Sequence, residues 1–461
     1  MGQIIAWCIT IYVIRILNPT DYGLMAMAAV CIGFLTTISE LGLGAAIVQK
    51  KDINHIEIQQ VFGFVLLCHF GLSILMFAGA PLLSAYFNEP QLVPIFKVLS
   101  INFILASLYI IPQSILLRRM DFRSKALIDC TASLISVVVT LISALNDYGV
   151  WSLVYGAVTI HAVSIFGYNV FSQKIIRPRL SFRGMKKLFL FGGFLTGGRI
   201  LWYFYSKADI FIGGRFLSSR LLGTYSVALE MVSIPLEKIL PIINQVAFPA
   251  YSSVQSDAKI VRSYFLKSVR IVSFFIFPIY SGLLVVAPEL IDLILGSKWD
   301  GVIMPLQILC LVMPFRALST LFTPVLNGIG RTDITFVNVC FASVLMPIAF
   351  LIGAKWGIGG MAMAWLLGYF VVFIFISQRS LKTLGISMSI FFLNLRGSFI
   401  ASMTMWVVVY GVRYVFINSL SHQINLFFLI VLGIVTYIFS TFTINRSNYN
   451  EIWGIIKSVK R

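Results

Sequence analysis

The sequence predicts an all-α polytopic membrane protein of about 14 transmembrane helices, because three of its features point the same way. Hydrophobic residues make up 59% of the 461 positions and charged residues 11%, whereas soluble globular chains average about 45–50% and 25%. Apolar segments of roughly 20 residues, enough to cross a hydrocarbon core of about 30 Å, follow one another along nearly the whole chain. The connections between them are short and rich in turn-forming residues, as in Asn18–Asp21 and Gly328–Gly330.

The spans are placed by their apolar runs and by the turn residues that separate them. A basic stretch, Lys174–Lys187, separates the sixth span from the seventh. In chain order the predicted spans are 1–17, 22–47, 61–87, 95–117, 126–145, 150–172, 189–214, 222–248, 268–294, 303–327, 333–354, 357–379, 397–417 and 424–444.

The distribution of basic residues predicts the orientation of these spans. With the N-terminus placed in the cytoplasm, 24 of the 35 Lys and Arg residues fall in cytoplasmic segments and six fall outside. Cytoplasmic connections of membrane proteins carry such an excess of basic residues. Both termini are therefore predicted to be cytoplasmic, and the net charge of +18 needs no nucleic-acid partner to explain it.

Three short patterns recur in the same order about 200 residues apart and predict an internal repeat. Each copy holds six spans, so both copies cross in the same direction, as in transporters built from two lobes around a central substrate path. We therefore expect a lobe at 1–175, a second at 188–380, two additional helices at 395–445 and a cytoplasmic tail at 446–461. Shared helix-end chemistry is the alternative explanation. The matched segments are Arg15–Ala28 with Arg215–Ala228, Pro112–Phe122 with Pro324–Ile334, and Ser172–Lys174 with Ser377–Arg379.

Charged residues inside the predicted spans are the candidate functional residues. A Lys or Arg at the bilayer centre costs roughly 2.5–3.5 kcal/mol, so it normally faces water, a partner or a ligand. Four deep cations in the predicted second lobe favour an anionic ligand: Arg199, Lys207, Lys238 and Arg316. Internal ion pairing, for example of Lys207 with Asp209, is the alternative. The acidic candidates for ion coupling or charge pairing are Asp209, Glu230, Glu237 and Glu40.

Other kinds of site find no support in the sequence. It contains no phosphate-binding loop, no nucleophile-elbow motif and no metal-spaced His or Cys cluster. The six cysteines form no C-x-x-C pair. We expect no cofactor, no metal, no nucleic-acid partner and no enzymatic activity. His69 and His161 stand alone in apolar spans, where a structural role is favoured over a proton relay.

Three segments carry a family resemblance: Arg15–Ala26, Glu40–Gln49, and Asp209–Arg215 with its continuation to Ser252. They resemble the polysaccharide transporter family, in particular Wzx-type flippases of the colanic acid exporter kind in the multidrug/oligosaccharidyl-lipid/polysaccharide superfamily. The resemblance implies two six-helix lobes plus two helices. It also implies a cationic cavity that accepts the pyrophosphate of an undecaprenyl-linked oligosaccharide repeat unit. Members usually have a further basic segment before this start, so the first helix is expected to be truncated or its start codon to be misassigned.

The resemblance further implies flipping of the lipid-linked oligosaccharide to the outer leaflet of a bacterial inner membrane, in exopolysaccharide, capsule or lipopolysaccharide biosynthesis. A polysaccharide polymerase and a chain-length regulator are the implied protein partners. Two alternatives remain: an ion-coupled antiporter for drugs or cations, which would favour acidic cavity residues, and a membrane polymerase or ligase. The latter needs a catalytic loop on the outer face, and the predicted outer connections are short.

Overall fold

The computed structural model describes residues 2–39, 47, 54–172, 177–181, 186–416, 422–444 and 446, and these form helices joined by short turns, with no strand among them. The chain divides into two compact units, Met1–Gly223 and Thr224–Arg461. Glu40 lies outside the described residues, as does most of the predicted tail. The lobe boundaries predicted from the repeat stay a prediction.

The described residues of the first unit form eight of the helices in full and the start of a ninth. They are α1 (Gly2–Ile16), α2 (Pro19–Ser39), α3 (His55–Phe87), α4 (Leu92–Leu99), α5 (Ile101–Arg118), α6 (Phe122–Leu145), α7 (Val150–Ser172), α8 (Lys186–Phe216) and the beginning of α9 (Ser219–Ser253).

In the part of the second unit that the structure describes, the rest of α9 is followed by seven further α-helices. These are α10 (Ala258–Ile294), α11 (Ile303–Thr320), α12 (Phe322–Gly328), α13 (Thr332–Gly353), α14 (Gly357–Leu384), α15 (Met388–Phe416) and α16 (His422–Ile444). Short 3₁₀ turns lie at Ser297–Val302 and Ala354–Trp356.

Each of the fourteen predicted spans corresponds to helix in the described residues, and two of them are divided. The fourth span is α4 followed by α5, with a break at Ser100, and the tenth is α11 followed by α12, with a break at Leu321. Ten helical stretches of the described residues are long and apolar enough to cross a membrane by length and composition. Neither α8 nor α9, which carry most of the charged candidates, is among these ten.

Local hydrogen bonds explain where several helices begin. Asn54 and Glu57 form a capping box at the start of α3, in which each side chain accepts a hydrogen bond from the other residue's backbone N–H. Asp121 accepts a hydrogen bond of 3.0 Å from the backbone N–H of Ser124 at the start of α6. This backbone bond and a side-chain bond from Ser124 hold the pKa of Asp121 below its usual value.

The ends of α2 and α9 approach closely within the first unit. A Cβ atom on Gly23 would overlap with the carbonyl oxygen of Ser219, and one on Gly223 would overlap with the carbonyl oxygen of Pro19. The two glycines occupy matching positions of the first repeated segment, and their contact is reciprocal. Small residues at such a crossing let helix backbones touch inside a membrane.

The last two helices pack against α10 in the core of the second unit. Buried side chains of all three helices form one cluster, which includes Val285, Met405 and Leu429. The Tyr437 hydroxyl on α16 donates a hydrogen bond of 2.7 Å to the Phe274 carbonyl on α10. An ion pair adds to this packing: Arg413 Nε on α15 lies 2.6 Å from Glu289 Oε1 on α10.

We expect Arg413→Ala to lower the free energy of unfolding by about 3–5 kcal/mol, because it leaves a buried carboxylate without its counter-charge. Glu289 is only 3% exposed, and its second oxygen already lacks a hydrogen-bond partner among the described residues. Denaturant unfolding of the purified protein in detergent measures the change. The matched control is Arg331→Ala, since Arg331 also forms an ion pair, with Asp333, but an exposed one. Equal effects of the two substitutions would contradict this prediction.

Candidate functional site

Helix α8 carries three of the predicted site residues, and the structure gives them different surroundings. Arg199 and Lys207 are exposed, whereas Asp209 is completely buried. One Asp209 oxygen, Oδ1, accepts a hydrogen bond of 2.8 Å from the backbone N–H of Ile210. The two cations are therefore accessible to a ligand, and the carboxylate is part of the interior of the first unit.

Helix α9 carries three of the charged candidate residues of the second unit. Glu230, Glu237 and Lys238 all have exposed side chains. Pro235 lies within the helix between the two glutamates and removes one backbone donor. Nearby, the Tyr280 hydroxyl of α10 donates a hydrogen bond of 2.6 Å to the Val232 carbonyl. This hydrogen bond joins α10 to α9 within one turn of Pro235.

Arg316 on α11 is held in place by an aromatic side chain. Its guanidinium carbon lies 4.4 Å from the ring centroid of Trp365 on α14, and Trp365 is fully buried. One guanidinium nitrogen also lies 3.7 Å from the Met313 sulfur. A cation–π contact fixes the plane of an arginine without using its N–H donors as an ion pair would. This arrangement keeps donors available for an anion.

The first unit also contains a cavity of about 290 Å³ between α2, α3, α5, α7 and α8, and both polar and apolar side chains line it. Most of the polar residues that line it are uncharged, and they lie in helices that were predicted as apolar spans. Arg199 lines it as well. The polar lining residues are Thr36, Ser39, His69, Asn102, Tyr109, Gln113, Ser114, His161 and Arg199.

Hydrogen bonds organise one side of this cavity. The Tyr109 hydroxyl lies 3.0 Å from His161 Nδ1, so His161 is partnered rather than isolated. Gln113 Nε2 donates a hydrogen bond of 3.1 Å to the Tyr168 hydroxyl, which in turn donates one of 2.6 Å to Asp129. Asp129 forms an ion pair with Lys125 one turn earlier in α6. The second histidine, His69, contacts the Val65 carbonyl at 2.9 Å.

Sequence reasoning found the charged residues and missed this cavity. Arg199 is the one predicted site residue that lines it. The available signal was the recurrence of amides and hydroxyls in the fourth span, at Asn102, Tyr109 and Gln113, each of which is ordinary by itself. Arg199 and Lys207 belong to the first unit, and Lys238 and Arg316 to the second. Convergence of these four cations on one substrate stays a prediction.

A family model described as "Polysaccharide biosynthesis protein" matches residues 12–304, well over half of the chain. The chain belongs to this family. Curated relatives agree with the assignment. "Lipopolysaccharide biosynthesis protein WzxC" of Escherichia coli is 28% identical over 354 residues, 74% of this chain and 70% of the relative. "Succinoglycan biosynthesis transport protein ExoT" of Rhizobium meliloti is 25% identical over 352 residues, 76% of this chain and 71% of the relative.

Solved structures of two other proteins share the fold of this chain. A structure titled "Lipid II flippase MurJ, inward closed conformation" matches with a TM-score of 0.78 at 15% identity, covering 97% of this chain and 98% of that one. An inward-facing multidrug resistance MATE transporter matches with a TM-score of 0.66 at 13% identity, covering 84% and 95%. The predicted resemblance and the predicted all-α, multi-pass membrane fold are therefore confirmed.

Proposed function

We propose that this protein is a flippase that moves an undecaprenyl-pyrophosphate-linked oligosaccharide repeat unit from the cytoplasmic to the outer leaflet by alternating access. Membership in the polysaccharide biosynthesis family over residues 12–304 is the observation that carries the proposal. Relatives named for lipopolysaccharide biosynthesis and for succinoglycan transport support it. The protein acts as a transporter and catalyses no chemical reaction on its substrate.

The pyrophosphate is bound by Arg199, Lys207, Lys238 and Arg316. In support, the first three have exposed side chains although they lie in predicted membrane spans, where facing lipid would cost roughly 2.5–3.5 kcal/mol each. Water or an anionic ligand removes that cost. Arg316 contributes a guanidinium oriented by Trp365, and an arginine fork suits phosphate oxygens.

The protein lies in a bacterial inner membrane with both termini in the cytoplasm, and it works beside a polysaccharide polymerase and a chain-length regulator. The excess of basic residues in the segments assigned to the cytoplasm supports this orientation. If an ion assists transport, Glu230 and Glu237 are the sites for it, because both carboxylates are exposed on α9. Asp209 and Glu40 are the other acidic candidates.

The membrane potential supplies a drive for export. A pyrophosphate with about two negative charges moves from a negative interior to a positive exterior, which releases roughly 4–5 kcal/mol at 100 mV. Reconstituted vesicles with a fluorescent undecaprenyl-pyrophosphate oligosaccharide test this. We expect flipping in the export direction to accelerate when the potential is imposed. If the protein still accumulates substrate in one leaflet at zero potential, with only a proton or sodium gradient imposed, then an ion gradient and not the potential supplies the energy. If no flipping occurs under any condition, the proposed flippase function is refuted.

A further inference from the structure

The turn that joins α5 to α6 places two large apolar side chains at the surface of the first unit. Met120 is 76% exposed and Phe122 is 62% exposed. Arg119 and Arg123 are also exposed, and the carboxylate of Asp121 is engaged in capping α6. The turn therefore combines uncovered apolar surface with an excess of positive charge, a combination that indicates a binding surface.

The backbone of this turn is fixed by hydrogen bonds. The Met120 N–H donates one of 3.0 Å to the carbonyl three residues before it, and the Asp121 N–H donates one of 3.0 Å to the carbonyl five residues before it. Met120 itself has φ 57°, in the left-handed region that glycine adopts most readily. Glycine would stabilise this turn better than methionine, so the fold of the turn does not explain the exposed side chain.

The turn between α12 and α13 shares these two hydrogen bonds, at 3.1 and 2.8 Å, and provides an internal comparison. Gly330, with φ 76°, takes the position of Met120, and Thr332 lies where the first turn has its phenylalanine. This register differs by two residues from that of the sequence match. The exposed Arg331 of the second turn pairs with Asp333. The same backbone therefore folds without a large exposed apolar side chain and with its arginine ion-paired.

A second basic segment lies at the same end of the first unit. Residues 177–181 run beside the start of α3, where the Arg179 N–H donates a hydrogen bond of 3.0 Å to a carbonyl of the second helical turn. Arg177 and Arg179 are exposed, and Leu180 is 66% exposed. The guanidinium of Arg119 donates a hydrogen bond of 3.3 Å to the last carbonyl of α7, which precedes this segment. The α5–α6 turn and residues 177–181 together are called the basic end.

The position of the basic end in the chain indicates lipid as its partner. The predicted spans 95–117 and 126–145 leave only residues 118–125 between them, so the α5–α6 turn lies at the level of the headgroups. Arginine N–H groups bind phosphate oxygens, and clusters of four or more basic residues beside membrane spans attract anionic lipids. The methionine, phenylalanine and leucine side chains beside them reach the acyl chains below.

Soluble anions fit this surface less well. A free phosphate or pyrophosphate pairs with the arginines but leaves Met120, Phe122 and Leu180 in contact with water. A phospholipid covers both parts of the surface at once, since its headgroup carries the negative charge and its acyl chains surround the apolar side chains.

We propose that the basic end binds the headgroups of anionic phospholipids and inserts Met120, Phe122 and Leu180 among their acyl chains. The arginines bind the lipid phosphates, and the hydrogen-bonded turn holds the inserted side chains at a fixed depth. This surface uses none of the cations assigned to the pyrophosphate, and the proposal holds whichever molecule the protein transports.

Native mass spectrometry of the full-length protein in detergent measures the affinity for phosphatidylglycerol and, as the neutral reference, for phosphatidylcholine. We expect phosphatidylglycerol to bind more tightly. Arg119→Gln combined with Arg123→Gln should weaken its binding by roughly 10- to 30-fold, because each basic residue near a headgroup contributes about fivefold. Phosphatidylcholine binding should stay unchanged. The matched control is Arg331→Gln, which removes an exposed arginine whose charge is already paired and should leave both affinities unchanged.

A second double variant, Met120→Gly with Phe122→Thr, keeps both arginines and gives the first turn the residues of the second. Glycine favours the left-handed backbone, so this variant keeps the test decisive if the arginine variant does not fold. Phosphatidylglycerol binding should weaken by about tenfold or more, because large apolar side chains no longer enter the acyl region. Unchanged affinity in both double variants would overturn the lipid site, and so would displacement of the bound lipid by pyrophosphate.

The depth of the turn is tested in nanodiscs that contain brominated phosphatidylglycerol. Phe122→Trp adds a fluorophore to the first turn, and Thr332→Trp adds one at the equivalent position of the second turn. We expect bromine on the acyl chains to quench the added fluorescence of Phe122→Trp more strongly than that of Thr332→Trp. Equal quenching in the two variants would contradict insertion of the first turn.

Discussion

Export of the polymer is expected to fall by roughly 10- to 100-fold in Arg316→Ala, because a hydrogen bond to a charged group contributes about 1.5–3 kcal/mol. Protein abundance should stay near normal, since the guanidinium packs on Trp365 and forms no ion pair with any described residue that the substitution would break. Arg199→Ala should have a comparable effect, and Arg199→Lys should restore part of the activity by replacing a fork with a point charge. Complementation of a flippase-deficient strain, with surface polymer and protein both quantified, measures this.

The control for this prediction is an arginine outside the proposed site. Arg331 lies exposed at the start of α13 and pairs with Asp333, so Arg331→Ala should export normally. Trp365→Leu should lower export without removing a charge, because it releases the guanidinium from its fixed orientation. Normal export by both Arg199→Ala and Arg316→Ala would refute the anion-binding role. A collapse in abundance would instead assign these arginines a structural role.

The second large effect is expected at the contact between α2 and α9. Gly223→Ala should lower the free energy of unfolding by about 1–3 kcal/mol or more, because the new methyl group overlaps with the carbonyl oxygen of Pro19 and backbone cannot move aside as a side chain can. Gly23→Ala should behave in the same way through Ser219. Thermal unfolding of the purified variants measures the loss, and export should fall with the amount of folded protein.

Gly71 provides the control substitution at a helical glycine. It lies within α3, and no atom lies within 4 Å of the position that a Cβ would take. Gly71→Ala should therefore be neutral or stabilising by about 0.4–1 kcal/mol, since alanine has less conformational freedom to lose. If Gly223→Ala were as stable as Gly71→Ala, the close helix contact would not exist in the protein.

The sequence predicted the helices better than it predicted their ends. Helix α10 begins at Ala258, where the Asp257 side chain accepts hydrogen bonds from the first backbone N–H groups. The predicted span starts ten residues later, because basic residues such as Lys259 and Lys267 keep these first turns out of the apolar run. An apolar run marks where a helix is embedded in lipid, whereas hydrogen bonding decides how far it continues beyond the membrane. The breaks at Ser100 and Leu321 were missed for a related reason, since neither interrupts the apolar run.

The charged candidate residues were predictable from the sequence, whereas the cavity of the first unit was not. Charged residues in apolar spans are easily seen in a sequence. Arg199 and Arg316 were identified because placing a charged side chain in the hydrocarbon core is energetically unfavourable. Asn102 and Gln113 carry no charge, and a single amide in an apolar helix gives no indication of a partner. Only the packing of α5 against its neighbours places them in one cavity.

The sequence by itself determined that this protein is a multi-pass helical membrane protein of the polysaccharide biosynthesis family. Whether a segment crosses the membrane depends on about 20 consecutive residues, so each span can be predicted from its own sequence. Tertiary structure alone decided the contacts between distant residues: the stacking of Arg316 on Trp365 and the ion pair of Arg413 with Glu289. These contacts depend on which helix faces which, and apolar helices in lipid differ too little in hydrophobicity for the sequence to specify that choice.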